Sequence, residues 1–126
     1  MKIIKPILAI CLLFISFAGS HYAFAQGDTS VKIDESDKHY NFEAKYDNGK
    51  TRKVQEYMTE SLSSTGFKFT NAQLDAKLSL TGGINFYIKS HDGELVLKFD
   101  KRKNSKEDAA RFKKMCEGIK DIAGKN

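Results

Sequence analysis

Past position 25, two histidines and a scatter of carboxylates are the first residues whose types suggest chemistry. His91, Asp92 and Glu94 sit together around Gly93, and His39 lies far upstream. An imidazole with neighbouring carboxylates suits general acid/base work or weak metal ligation. A closed zinc site takes four ligands, and no spacing brings His39 to the His91 cluster, so no metal and no cofactor are expected. Nucleophilic catalysis needs a serine or cysteine against an oriented base. Ser61, Ser63 and Ser64 have no marked base, no Gly-x-Ser-x-Gly occurs, and Cys116 falls on an apolar helical stripe where a thiol is inert filling. No catalytic residue is therefore assigned. Thr81-Gly82-Gly83 lacks the lysine and following helix of a phosphate loop and reads as a turn.

The strongest address in the chain is at its start. Lys2 and Lys5 precede an apolar run over residues 7–18, and Ala23-Phe24-Ala25 offers small residues at the −3 and −1 positions. Together they read as an export signal cut between Ala25 and Gln26. The apolar run is about a dozen residues, short of the roughly 20 that span a bilayer, so no transmembrane segment is expected after cleavage. Cys11 follows Ile10 inside that run, which is unlike a lipid-modified cysteine with a small residue before it.

Cleavage filters the other readings. The 126-residue chain has 21 basic and 16 acidic residues, and losing Lys2 and Lys5 leaves 19 against 16, a net of +3. That balance is too mild for a dedicated nucleic-acid binder. The charge is nonetheless uneven: residues 27–48 hold six acids against three lysines, and residues 98–114 hold eight bases against three acids. Cys116 alone remains, so no internal disulfide can form and packing must stabilise the domain. A small, lysine-rich, disulfide-free exported chain points to a bacterial protein of the periplasm or the extracellular space.

The elements that must position these residues follow from periodicity. Residues 26–38 read as a flexible polar arm in which only Val31 and Ile33 alternate, enough for a short edge strand at most. Residues 39–126 read as one α+β domain. Tyr40, Phe42, Ala44 and Tyr46 alternate as in a half-buried strand, and Asp47-Asn48-Gly49 ends it. Val54, Tyr57, Met58, Ser61 and Leu62 then share one side of a helix over residues 50–64.

Three strands follow, over residues 74–80, 84–91 and 94–100. A two-residue Asp92-Gly93 turn sets Ser90 opposite Leu95 and Ile88 opposite Leu97. A two-residue turn at Gly82-Gly83 would send the leucines of the preceding strand to the wrong face. A three-residue Thr81-Gly82-Gly83 loop instead pairs Leu80 with Ile84, Leu78 with Phe86 and Ala76 with Ile88. Asn104-Ser105-Lys106-Glu107 opens a last helix, whose stripe is Ala109, Phe112, Met115, Cys116, Ile119, Ile122 and Ala123.

The predicted architecture is an antiparallel sheet of about four strands in the order β-α-β-β-β-α, with both helices on one face. Its other face is open and polar. There Tyr87 and Val96, framed by Lys77, Lys89 and Lys98, form a candidate binding platform. The reading is a non-enzymatic binding or interaction module for an envelope or extracellular protein or a glycan. Its alternative is a small envelope hydrolase built on His39 or His91 with nearby carboxylates. A pocket lined by His39 or His91 with neighbouring carboxylates favours the hydrolase, and a flat open sheet favours binding.

Overall fold

A computed structural model describes residues 20–26, 29–70 and 73–124. Among them, six strands form one antiparallel sheet: β1 (Ser20–Gln26), β2 (Thr29–Glu35), β3 (His39–Lys45), β4 (Leu74–Ser79), β5 (Asn85–His91) and β6 (Glu94–Asp100), in spatial order β1-β2-β3-β6-β5-β4. Helices α1 (Thr51–Ser61) and α2 (Lys106–Gly124) cover one face. The α+β architecture is the expected one, with more strands than the four anticipated. Five of the six lie beyond Gln26.

The added strands come from the N-terminal region. The polar segment expected as a flexible arm instead supplies β2, which pairs with β3 from Ser30↔Lys45 to Glu35↔Tyr40. Its alternation buries Val31 and Ile33 among the core residues and leaves Ser30 and Lys32 outside. Two apolar residues are enough because the helix layer reaches this edge: Thr29 donates its hydroxyl proton to the Ala123 carbonyl at the end of α2 (3.2 Å). The proposed cut between Ala25 and Gln26 falls inside β1, while the basic and apolar parts of the expected signal lie outside the described residues.

The C-terminal meander has the predicted register. Ala76↔Ile88 and Leu78↔Phe86 pair across β4 and β5, and Ile88↔Leu97, Ser90↔Leu95 and His91↔Glu94 across β5 and β6. Leu80 donates its N–H to the Ile84 carbonyl across the three-residue loop, where Gly82 and Gly83 both take positive φ. Ser90, the one polar residue on the apolar face, is buried beneath α1 and receives the Gln55 amide at a long 3.5 Å.

The core is continuous from β2 to β5 and is densest around Phe112 of α2. Phe112 stacks on Phe99 with centroids 4.4 Å apart and leans on Phe86 at 5.3 Å. Val54, Met58 and Leu62 of α1 and Met115, Cys116 and Ile119 of α2 are fully buried beside it. The helices also meet directly, with Gly118 lying under the Tyr57 ring. Helix α2 starts one step later than expected. Ser105, not Asn104, accepts the capping bond from Asp108 N–H (3.0 Å).

Candidate functional site

Among the described residues nothing packs over the face of the sheet opposite the helices, and at one end that face is hollowed. A cavity of about 630 Å³ opens there, with Asn41 of β3, Lys98 of β6, Tyr87 of β5 and Lys77 of β4 across its floor. These four stand in cross-strand succession, since Asn41 pairs with Lys98, Lys98 with Tyr87 and Tyr87 with Lys77. His39, Asp100, Asn85, Ser79 and Lys103 close the end.

Three of the five residues assigned from sequence as a platform, Lys77, Tyr87 and Lys98, line this cavity. The other two do not. Lys89 and Val96 face each other across β5 and β6 on the same side of the sheet, one pair farther toward the His91 end.

The floor is wired together. The Tyr87 hydroxyl donates to Asp75 Oδ1 at 2.5 Å, a bond that raises the phenol pKa, and the Lys98 ammonium lies 5.6 Å from the Tyr87 ring centroid. The ring is thereby held on its edge-strand neighbour with a cation over one face. Asp100, the carboxylate at the closed end, takes both Arg102 Nε and Nη2 (3.0 and 3.1 Å) and the Arg102 backbone N–H (2.9 Å). Those hydrogen bonds hold its carboxyl below the usual carboxylate range. Its oxygens are held in place by Arg102.

Asn104 is a site-shaping residue that the sequence pointed elsewhere. Its Oδ1 accepts from Asn85 N–H (2.8 Å), and its Nδ2 donates to the carbonyls of Asn85 (3.0 Å) and Asp100 (2.8 Å). The side-chain amide acts as an extra peptide unit between β5 and β6 and fixes the closed end of the cavity. The Asn-Ser pair at a helix start signals capping, and the serine takes that role.

The two histidines are separated by the length of the sheet. His39 pairs with Asp100 at one end of the β3-β6 ladder, and Glu94, His91's partner, pairs with Lys45 at the other. Six residues of strand separate them, about 20 Å. His39 Nδ1 lies 3.2 Å from Ser36 Oγ and its Nε2 lies 3.6 Å from Asp34 Oδ2. This resembles a nucleophile, base and acid in composition, but Ser36 Oγ also accepts the backbone N–H groups of Lys38 and His39 (3.2 and 3.3 Å), which makes it a turn brace. His91 and Asp92 border a second, smaller and more polar hollow of about 350 Å³ with Asn48, Arg52, Gln55 and Gln73.

No group of three or more His, Cys, Asp and Glu side chains gathers into a metal-binding arrangement among the described residues. Cys116 is fully buried, and burial pushes its thiol pKa well up. No helix among the described residues is long and apolar enough to cross a membrane. Comparison of the chain with known protein families, with characterised proteins and with solved structures finds no match in any of the three.

Proposed function

We propose that the chain is an exported binding module whose concave sheet face takes an extended anionic ligand, with an acidic glycan as the best fit. The observation that supports this most is the convergence of Lys77, Lys98 and Lys103 around Tyr87 in one cavity. Three ammonium groups offer donors to carboxylate or sulfate oxygens, and Tyr87 offers a flat apolar surface of the kind a sugar ring packs against. Asn41, Ser79 and Asn85 supply neutral hydrogen-bonding groups between the charges, which suits a ligand carrying hydroxyls as well as anions. The export signal at residues 1–25 supports action in the periplasm or outside the cell.

The test uses the processed protein and labelled oligogalacturonate, with neutral dextran fragments as control. The acidic oligomer binds, weakens with salt, and loses roughly tenfold or more in affinity on joint Lys77→Ala and Lys98→Ala substitution. Equal binding of the neutral oligomer, or an unchanged affinity in the double variant, refutes the reading.

A second reading, the small envelope hydrolase, is favoured by the expected kind of pocket: His39 and Asp100 border the larger cavity, and His91 and Asp92 the smaller one. Against it, Asp100 is committed to Arg102 and the serine beside His39 is committed to the turn. Turnover of an envelope substrate that disappears in His39→Ala, with ligand binding retained, would replace the binding reading.

A further inference from the structure

The signal cut and the sheet order have a joint consequence. Strand β1 is outermost, and all seven of its residues pair with β2, from Ser20↔Glu35 to Gln26↔Thr29. The cut between Ala25 and Gln26 removes six of those seven. Strand β2 then becomes the sheet edge, with its outward N–H and C=O groups unpaired and Val31 and Ile33 beside them on the core face. The processed chain cannot cover this edge with its own start. Only residues 26–28 precede Thr29, too few for a turn and a returning strand.

We infer that the exposed β2 edge pairs with the β2 edge of a second copy, antiparallel about a two-fold axis at Ile33. The inference rests on the export reading. Same-strand pairing must keep the core faces together, so a residue faces one of its own parity. Centring on Lys32 would set Lys32 against its own copy, a like-charge pair. Centring on Ile33 sets Lys32 opposite Asp34 of the second copy and Asp34 opposite its Lys32, two attractive pairs created by one symmetric contact. Lys32 is exposed and Asp34 is half-buried, on the face away from the helices. The same register joins the two sheets into one across the axis, with the β2 backbone contributing hydrogen bonds on both sides.

The test isolates the exported protein, reads its N-terminus by intact mass, and measures its association by sedimentation equilibrium. A chain beginning at Gln26 that dimerises is the expected result. Lys32→Glu and Asp34→Lys each weaken the dimer by about fivefold to tenfold through two repulsive pairs. Mixing the two variants restores association, because Glu at 32 then faces Lys at 34 and Lys at 32 faces Asp at 34. Lys32 also lies opposite Glu43 of β3, so a variant that fails to melt cooperatively is replaced by Asp34→Lys alone. A correctly processed chain that stays monomeric at roughly 100 μM, or a dimer indifferent to both reversals, overturns the inference and leaves the export reading standing. A purified chain that still carries residues 20–25 overturns the cut between Ala25 and Gln26, and the open edge with it.

Discussion

The contact between Gly118 and Tyr57 sets up a substitution whose sign depends on its neighbour. Gly118 lies inside α2, where alanine is favoured over glycine by about 1 kcal/mol because it restricts the unfolded chain and exposes less backbone. A Cβ at this position would meet the Tyr57 ring at 2.0 Å from the hydroxyl oxygen, 2.3 Å from Cζ and 2.7 Å from Cε2. Three short distances along one edge mean that the ring as a whole must move, not only its tip. Tyr57 is half-buried against the core, and lifting it forfeits packing worth about 2 to 3 kcal/mol. The difference predicts that Gly118→Ala destabilises by about 1 to 2 kcal/mol. In a Tyr57→Ala background the obstacle is gone, and the same substitution stabilises by about 1 kcal/mol. The coupling, about 2 to 3 kcal/mol, is read from urea midpoints followed by far-ultraviolet circular dichroism in a double-mutant cycle. If Gly118→Ala stabilises both backgrounds equally, the tyrosine does not pack on this glycine and the account of the helix interface is wrong.

Four further outcomes are open to direct measurement. The Tyr46 hydroxyl is buried without a hydrogen-bond partner among the described residues, so Tyr46→Phe raises stability by about 1 kcal/mol in chemical denaturation; a loss would reveal a partner. Gly93 takes φ +76° and a Cβ there would lie 2.8 Å from the Tyr46 carbonyl oxygen, so Gly93→Ala lowers stability by about 2 kcal/mol or more, and a neutral result would refute the tight turn. Burial raises the Glu35 pKa, but hydrogen bonds from Lys101 and Lys113 outweigh it and hold the group below its ordinary value of 4.5. Its stabilisation is therefore complete above the unfolded value and is lost as pH falls through the lower folded one, a slope that Glu35→Gln should flatten in pH-dependent melting. Asn104→Ala leaves the Asn85 N–H and two carbonyls without this partner, costs about 2 kcal/mol, and weakens oligogalacturonate binding through the cavity's closed end; unchanged affinity would separate Asn104 from the site.

The parts legible in the sequence are those where a turn constrains its neighbours. The pairings Leu78↔Phe86 and Ile88↔Leu97 follow because Gly82-Gly83 and Asp92-Gly93 limit the loop choices, and only one combination keeps the apolar residues together. The stripe from Ala109 to Ala123 is legible because a helix repeats its spacing long enough to be distinctive. Strand β2 is hidden because Val31 and Ile33 are its only apolar alternation, and their burial depends on α2 arriving from the far end of the chain. The open face gave Lys77, Tyr87 and Lys98 correctly as neighbours, since face parity follows from register. It could not separate them from Lys89 and Val96, because which part of an open face is hollowed depends on how distant strands and loops meet, and that has no local signature.

The pairing of β3 with β6 carries a consequence for how the molecule comes into being. His39↔Asp100 joins residues 61 positions apart, and among the described residues this ladder alone unites the N-terminal strands with the C-terminal meander. Every other strand pair is a local hairpin. A chain emerging from its N-terminus can form the β2-β3 hairpin and begin α1, yet the sheet cannot close until about residue 100 has appeared, and Phe112 cannot enter the core until later still. Local pieces form quickly and wait on one slow, long-range closure.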